Sequence, residues 1–127
     1  MAIQSSSASS STSTGALVVG GGAGFGGQVT AQTIVETSSI AIKENINPIQ
    51  NALDIITQLD GVTYDRLDNK EHEAGLIAEW TNNVIPELVA KDSEGNATGI
   101  KYSKLTAYLI EAVKTLKNEL DSIKSKK

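Results

Sequence analysis

The sequence predicts an α+β fold, in which a short glycine-rich β segment precedes a small domain of helices and hairpins that ends in a long, coiled-coil-like helix. Three observations predict this order. All 11 basic and all 15 acidic residues of the 127-residue chain follow residue 35, so two different kinds of sequence are joined there. Short apolar stretches separated by turn residues fill the middle of the chain. Apolar residues then recur at steps of three and four near the C-terminal end.

The N-terminal part divides into two segments. Residues 1–14 read MAIQSSSASSSTST and contain nine Ser or Thr residues, so we expect a flexible arm that buries too little apolar surface to order itself. Residues 15–37 combine seven glycines with short apolar runs, which predicts a β repeat with strands near 16–19 and 29–35. A flexible glycine-rich linker is the alternative interpretation of this second segment.

Residues 38–127 have the mixed composition of a small folded domain. Asn47 as an N-cap and Pro48 as the first helical residue predict a helix near 48–59. A second helix near 78–85 should end before Pro86, because proline disfavours a helical conformation in the residue before it. Short strands are predicted near 62–66, 87–91 and 99–102, with polar loops between them.

The last element is the clearest. Ser103 can cap a helix near 103–124 whose apolar residues recur at steps of 4, 3, 4, 4 and 3, with Glu119 as a defect. These residues are Leu105, Leu109, Ala112, Leu116, Leu120 and Ile123. Such a helix either packs on its own domain or bundles with copies of itself. Bundling is favoured because one Trp, three Tyr and one Phe provide few large anchors for a core, and Trp80 is then expected between subunits.

Composition also excludes several functional classes. The chain has no Cys and one His, which argues against a disulfide framework, a zinc site or any other metal site. A net charge of −4 without a basic cluster argues against nucleic acid as a partner. We expect no membrane insertion and no signal peptide, because no long apolar run is present. We also expect no cofactor, because GGGAGFGG lacks the strand and helix that frame a dinucleotide-binding loop.

Three blocks of the sequence resemble a known family. They are SSIAIKENINPIQNALDIITQLDGVTYD, HEAGLIAEWTNNVIPELV and GIKYSKLTAYLIEAVKTLKNEL, in that order. Together they resemble the intramolecular chaperone and auto-processing domain of phage tailspikes and tail fibres, the S74 peptidase family. The resemblance implies a homotrimer that is made in the host cytoplasm, becomes part of the virion and contacts other tail or baseplate proteins. The implied domain covers residues 38–127.

The resemblance also implies a site of self-cleavage. The bond that would be cut joins Thr37 to Ser38, with Ser38 as the nucleophile, Lys43 as its base and His72 as a possible accessory residue. A lysine can activate a serine when burial or nearby positive charge favours its neutral form. A spacing of five places the two side chains together only through a bend or across subunits. Two family positions differ here, since Ser39 replaces an acidic residue and Ala41 a basic one.

These features support a phage virion structural protein, from a tail fibre, spike or baseplate, whose chaperone domain drives trimer assembly. If the chain cuts itself, it acts as a single-turnover serine peptidase with a Ser/Lys dyad. Because only 37 residues precede Ser38, a permanently attached trimeric tip that does not cleave is an alternative. A receptor-binding module that uses the predicted hairpin at residues 88–102 is another.

Overall fold

The computed structural model describes residues 1–126, which form two compact units. The first unit is Met1–Glu44 and the second begins at Asn45. The units therefore divide after Glu44, whereas the sequence places a functional boundary before Ser38. Residues 38–44 therefore belong to the same unit as the N-terminal part of the chain.

The structure corrects the β prediction for the first unit. Neither 16–19 nor 29–35 forms a strand in the single chain, and their apolar side chains are exposed. A strand requires a partner for its backbone hydrogen bonds, and the glycines supply no side chains that could bury one face. The regular element of this unit is one turn of 3-10 helix, Ile40–Ile42.

Over residues 45–126 the second unit contains three α-helices, one turn of 3-10 helix (Pro86–Leu88) and two antiparallel hairpins. In chain order its elements are α1 (Ala52–Ile56), β1 (Val62–Asp65), β2 (His72–Gly75), α2 (Ala78–Val84), β3 (Val89–Lys91), β4 (Ala97–Ile100) and α3 (Tyr102–Ser125). Strand β1 pairs with β2, and β3 pairs with β4 through an irregularity at Ala90 and Lys91. The α+β class and the long last helix are therefore confirmed. No helix within residues 1–126 has both the length and the apolar character needed to cross a bilayer.

Strand β2 is the element that the sequence analysis missed. Its first two residues, His72 and Glu73, belong to a stretch that was expected to form a polar loop, whereas a strand or turn was expected from Ala74. Pairing with β1 compensates for the low strand propensity of the β2 residues. In the paired register Tyr64 faces Glu73, and the Tyr64 hydroxyl donates a hydrogen bond to the Glu73 carboxylate at 3.0 Å. Such cross-strand pairs stabilise a hairpin more than single-residue propensities do.

The starts of two helices also differ from the prediction. Helix α1 begins at Ala52 because Asn51, with a φ of 55°, lies in the left-handed region and interrupts the helix predicted from residue 48. The Asn47 side chain does not cap the helix but donates to the carbonyl of Asn45 at 2.8 Å. Helix α3 begins at Tyr102, so Ser103 lies within it rather than before it.

The core of the second unit is small. Its buried apolar residues are Ala52, Ile85, Leu88, Val89 and Ala112. Helix α1 packs against α3, and each helix contributes a buried alanine, Ala52 and Ala112, both 3% exposed. Small side chains of this kind allow two helices to approach closely but bury little apolar area each. The core therefore leaves much of the apolar surface of α3 uncovered.

Two tyrosines fix the N-terminal half of α3. The Tyr102 hydroxyl accepts a hydrogen bond from the backbone N–H of Leu76 at 2.9 Å, directly after β2. Gly75 makes this approach possible, because a Cβ there would lie 2.5 Å from the Tyr102 hydroxyl oxygen. Six residues later, the Tyr108 hydroxyl donates to the carboxylate of Glu87. These contacts join the helix to both hairpin regions.

Candidate functional site

The structure brings Ser38 and Lys43 together through a bend of the chain. One turn of 3-10 helix, Ile40–Ile42, lies between them. As a result, the Lys43 ammonium donates to the Ser38 hydroxyl oxygen at 2.6 Å and to the Ser38 carbonyl oxygen at 2.9 Å. Of the two arrangements that the sequence left open, the single chain adopts the bend. Whether the pair acts in catalysis stays a prediction.

The reaction expected of this pair can be written step by step. With the lysine neutral, its amine can accept the Ser38 hydroxyl proton while the hydroxyl oxygen attacks the Thr37 carbonyl carbon. A carbon–oxygen bond forms, the Thr37–Ser38 peptide bond breaks, and the proton passes to the departing Ser38 amine. Water then hydrolyses the resulting ester and frees the Ser38 hydroxyl. Each chain can undergo this sequence once.

The surroundings of the pair in the single chain do not favour that reaction. Ser38 and Lys43 are both exposed. A neutral lysine is favoured by burial, which penalises the charged form, and solvent removes this effect. The predicted pair therefore lies close together in the single chain but is exposed to solvent.

His72 lies in the second unit, at the start of β2. Its Nδ1 is 2.6 Å from a carboxylate oxygen of Asp65, the residue opposite it in the hairpin register. Both side chains are largely exposed, at 68% and 71%. A carboxylate at this distance orients an imidazole ring. The sequence analysis did not identify Asp65, although the alternation along β1 and the register of the hairpin place it beside His72. The accessory role of His72 stays a prediction.

The apolar residues of α3 separate into two faces. Ala112 is 3% exposed and belongs to the face that packs within the chain, so it has no surface to offer another subunit. Leu105 is half-buried. The other residues that were expected at a trimer interface are exposed, namely Leu109, Leu116, Leu120 and Ile123. Assigning Ala112 to the interface is therefore corrected.

Val113 takes the place of Ala112 on the exposed face. It is 62% exposed, and the sequence analysis had not included it. We call the set Leu109, Val113, Leu116, Leu120 and Ile123 the α3 stripe. Its steps are 4, 3, 4 and 3, which is an uninterrupted heptad pattern. The defect at Glu119 disappears, because it resulted from counting Ala112 instead of Val113.

Comparison with known proteins identifies the region that contains this site. Residues 38–90 match the Peptidase_S74 family, which is described as "Chaperone of endosialidase". This part of the chain is similar to the S74 family. The S74 match begins at Ser38 and ends at Ala90, before α3. It therefore includes Ser38, Lys43 and His72, whereas the α3 stripe lies beyond it.

Several long tail fibre proteins are similar over a larger part of the chain. "Long tail fiber protein Gp37" of Enterobacteria phage K3 is 37% identical over 106 residues, covering 77% of this chain and 8% of that protein. The Gp37 of Enterobacteria phage T2 gives the same identity and coverage. The Gp37 of Salmonella phage S16 is 28% identical over 109 residues, covering 78% of this chain and 15% of that protein. The chain thus spans a small fraction of the length of these curated relatives.

Proposed function

We propose that this chain is a structural component of a phage tail fibre whose S74 domain drives homotrimer assembly and cuts the Thr37–Ser38 bond. It would be made in the host cytoplasm and end in the virion, in contact with other tail proteins. The observation that carries the proposal is the 2.6 Å hydrogen bond between Lys43 Nζ and Ser38 Oγ, at the first residue of the S74 match. The relatives named as long tail fibre proteins support the same assignment.

The α3 stripe supports assembly through this helix. A row of exposed leucine, valine and isoleucine side chains at heptad spacing is the pattern by which helices pack in coiled coils. Leaving such a row in water is unfavourable, because each fully buried side chain of this size contributes about 1.5–3 kcal/mol. A second and third copy of the chain carry the same row and can cover it.

Residues beside the stripe support a parallel arrangement of the copies. In the α3 stripe, Val113 and Leu120 occupy the first core position of their heptads. In a parallel coiled coil, the residue directly before such a position faces the residue five positions later on the neighbouring helix. By this rule Glu119, which directly precedes Leu120, faces Lys124, and the two form a pair of opposite charges. Ala112, which directly precedes Val113, faces Lys117 and forms no charge pair. The Glu119–Lys124 pair therefore supports copies that are aligned in the same direction and register.

Assembly would also provide what the cleavage site lacks. Activation of Lys43 requires removal of water from around its amine, and Ser38 and Lys43 are exposed in the single chain. We propose that neighbouring copies cover the pair once the trimer has formed. Cutting would then follow correct assembly, which suits a chaperone domain that acts on the chain preceding it.

Synthesis of the full chain in a cell-free system, sampled over time on denaturing gels and by mass spectrometry, tests this proposal. We expect two products, residues 1–37 and residues 38–127. The variant Ser38→Ala should abolish both products, because it removes the nucleophile. Lys43→Ala should slow their appearance at least about 100-fold, the lower range for loss of a general base. The matched controls are Ser122→Ala and Lys91→Ala, which change exposed residues outside the site and should cut at the normal rate.

The outcomes distinguish a chain that cuts itself from a permanently attached trimeric tip. Cutting that persists in both site variants would remove Ser38 and Lys43 from the mechanism. A wild-type chain that assembles into a trimer and keeps its full mass would rule out self-cleavage and would instead support a permanently attached tip. A wild-type chain that stays monomeric and uncut would refute both forms.

A further inference from the structure

We infer that Ser39 is a positioning residue, whose hydroxyl holds the turn that delivers Lys43 to Ser38. This inference rests on the proposed self-cleavage for its functional meaning, and on the geometry of residues 38–43 for its structural part. Ser39 does not contact the bond to be cut. It acts through the backbone that follows it.

The turn is held by three local hydrogen bonds, two of which involve Ser39. The Ser39 hydroxyl oxygen accepts from the backbone N–H of Ala41 at 3.2 Å, as an N-cap does. The Ser39 carbonyl accepts from the N–H of Ile42 at 3.3 Å. The third bond runs from the N–H of Lys43 to the carbonyl of Ile40 at 3.1 Å and places the lysine at the end of the turn.

Apolar packing does not hold this turn. Ile40 and Ile42 are 75% and 65% exposed, and the turn contains no buried residue. A short helical turn without a buried face depends on its local hydrogen bonds and caps. Loss of the Ser39 cap should therefore open this turn. The same loss would disturb a packed helix less, because apolar contacts would still hold it.

Opening the turn separates the two site residues. An extended chain advances about 3.3–3.6 Å per residue, so residues 38 and 43 can lie roughly 17 Å apart along the backbone. A 3-10 helix advances only about 2 Å per residue, which shortens this path. Lys43 Nζ reaches both Ser38 oxygens from the compact form. The extended form carries Lys43 away from Ser38.

The test compares Ser39→Ala with Ser39→Asn in the full chain, using two measurements. The first is the rate of appearance of residues 38–127. Ser39→Ala should lower this rate by about 2- to 30-fold, the range expected for loss of an N-cap, and Ser39→Asn should restore it. Ser122→Ala, the same chemical change on the outer face of α3, should leave the rate unchanged.

The second measurement does not require cutting. In an uncut Ser38→Ala background, proton NMR should detect a nuclear Overhauser contact between the new methyl group at position 38 and the Lys43 side-chain Cε protons. Adding Ser39→Ala should remove this contact, and adding Ser39→Asn should keep it. The contact reports the turn directly.

Each result decides the inference. A contact that persists with Ser39→Ala, or a cutting rate that Ser39→Ala leaves unchanged, would overturn the role of Ser39 even if the chain cuts. If the wild-type chain does not cut at all, the proposed cleavage fails, and the NMR contact alone decides whether Ser39 positions Lys43. Loss of the contact with Ser39→Ala and its return with Ser39→Asn would then support that role.

Discussion

Gly75 and Tyr102 form a contact that depends on the absence of one methyl group. A Cβ at residue 75 would lie 2.5 Å from the Tyr102 hydroxyl oxygen, which accepts a hydrogen bond from the N–H of Leu76. The tyrosine can move only by giving up that bond. Glycine is required here for space, and not for a left-handed conformation.

We therefore expect Gly75→Ala to destabilise the chain by about 1 kcal/mol, the net contribution of one hydrogen bond, measured by chemical denaturation at fixed protein concentration. Gly99→Ala is the matched control, because a Cβ there meets Ala90 at an ordinary 3.7 Å. Adding Tyr102→Phe removes the oxygen that causes the clash, so the double variant should be no less stable than Tyr102→Phe alone. Additive losses would contradict this account.

Tyr108 makes a second prediction at the scale of the residue. Burial, and then its hydrogen bond to Glu87, raise the pKa of Tyr108 from 10.0 to about 12. Because this pKa is higher in the folded state than in the unfolded chain, the protonated hydroxyl stabilises the fold fully below pH 10. This stabilisation is lost as the pH rises through 12.

The stability of the wild-type chain should accordingly fall between pH 10 and pH 12, and Tyr108→Phe should make this fall less steep. Denaturation curves measured across that range provide the test. Tyr64 is the internal comparison, since its hydrogen bond to Glu73 also raises its pKa, and Tyr64→Phe should remove a separate part of the slope. Identical slopes for wild type and Tyr108→Phe would show that Tyr108 is not responsible.

At the scale of the element, the assignment of Val113 to the α3 stripe can be tested. Val113→Asp places a charge in the row that is proposed to be buried in the trimer, and an unpaired buried charge is strongly unfavourable. We expect the dissociation constant of the trimer, measured by sedimentation equilibrium, to rise at least about 100-fold, which corresponds to roughly 3 kcal/mol. Ala107→Asp adds the same charge on the opposite, exposed side of α3 and should have little effect. Equal effects of the two substitutions would exclude a specific interface at the stripe.

The charges beside the stripe test its direction. Glu119→Lys should weaken a parallel assembly by about 0.2–1 kcal/mol for each exposed pair, because Lys124 would then face a like charge. The double variant Glu119→Lys with Lys124→Glu should restore assembly, and high salt should reduce both effects. If the double variant remains as weak as the single one, the helices do not pair in parallel with this register.

At the scale of the whole molecule, stability and assembly should be inseparable. Within the described residues, the buried apolar side chains are few and Leu88 is the largest that is fully buried, so the fold of one copy is expected to be marginal. Association stabilises the folded state by mass action. The melting temperature of the wild-type chain should therefore rise by about 3–6 °C for each tenfold increase in protein concentration. The Val113→Asp variant should show no such rise, and a wild-type melting temperature independent of concentration would argue against the trimer.

Much of the second unit could be predicted from local patterns. The periodicity of α3 is a property of the sequence, because a helix with this spacing always places its apolar residues on one side. The positions of α2 and the second hairpin follow from Pro86 and from the turn residues between Lys91 and Ala97. The candidate dyad followed from the family pattern, which indicated Ser38 and Lys43 before any geometry was known.

By itself, then, the sequence determined that α3 is long and amphipathic, and which two residues could form the dyad. Only the tertiary structure decided that Ala112 packs within the chain while Val113 faces outward, since periodicity shows an apolar face but not which part of it α1 covers. It also decided that the polar residues from His72 form β2, because the partner strand supplies their hydrogen bonds. Local geometry likewise closed the five-residue gap between Ser38 and Lys43 with a 3-10 turn, which no spacing rule specifies.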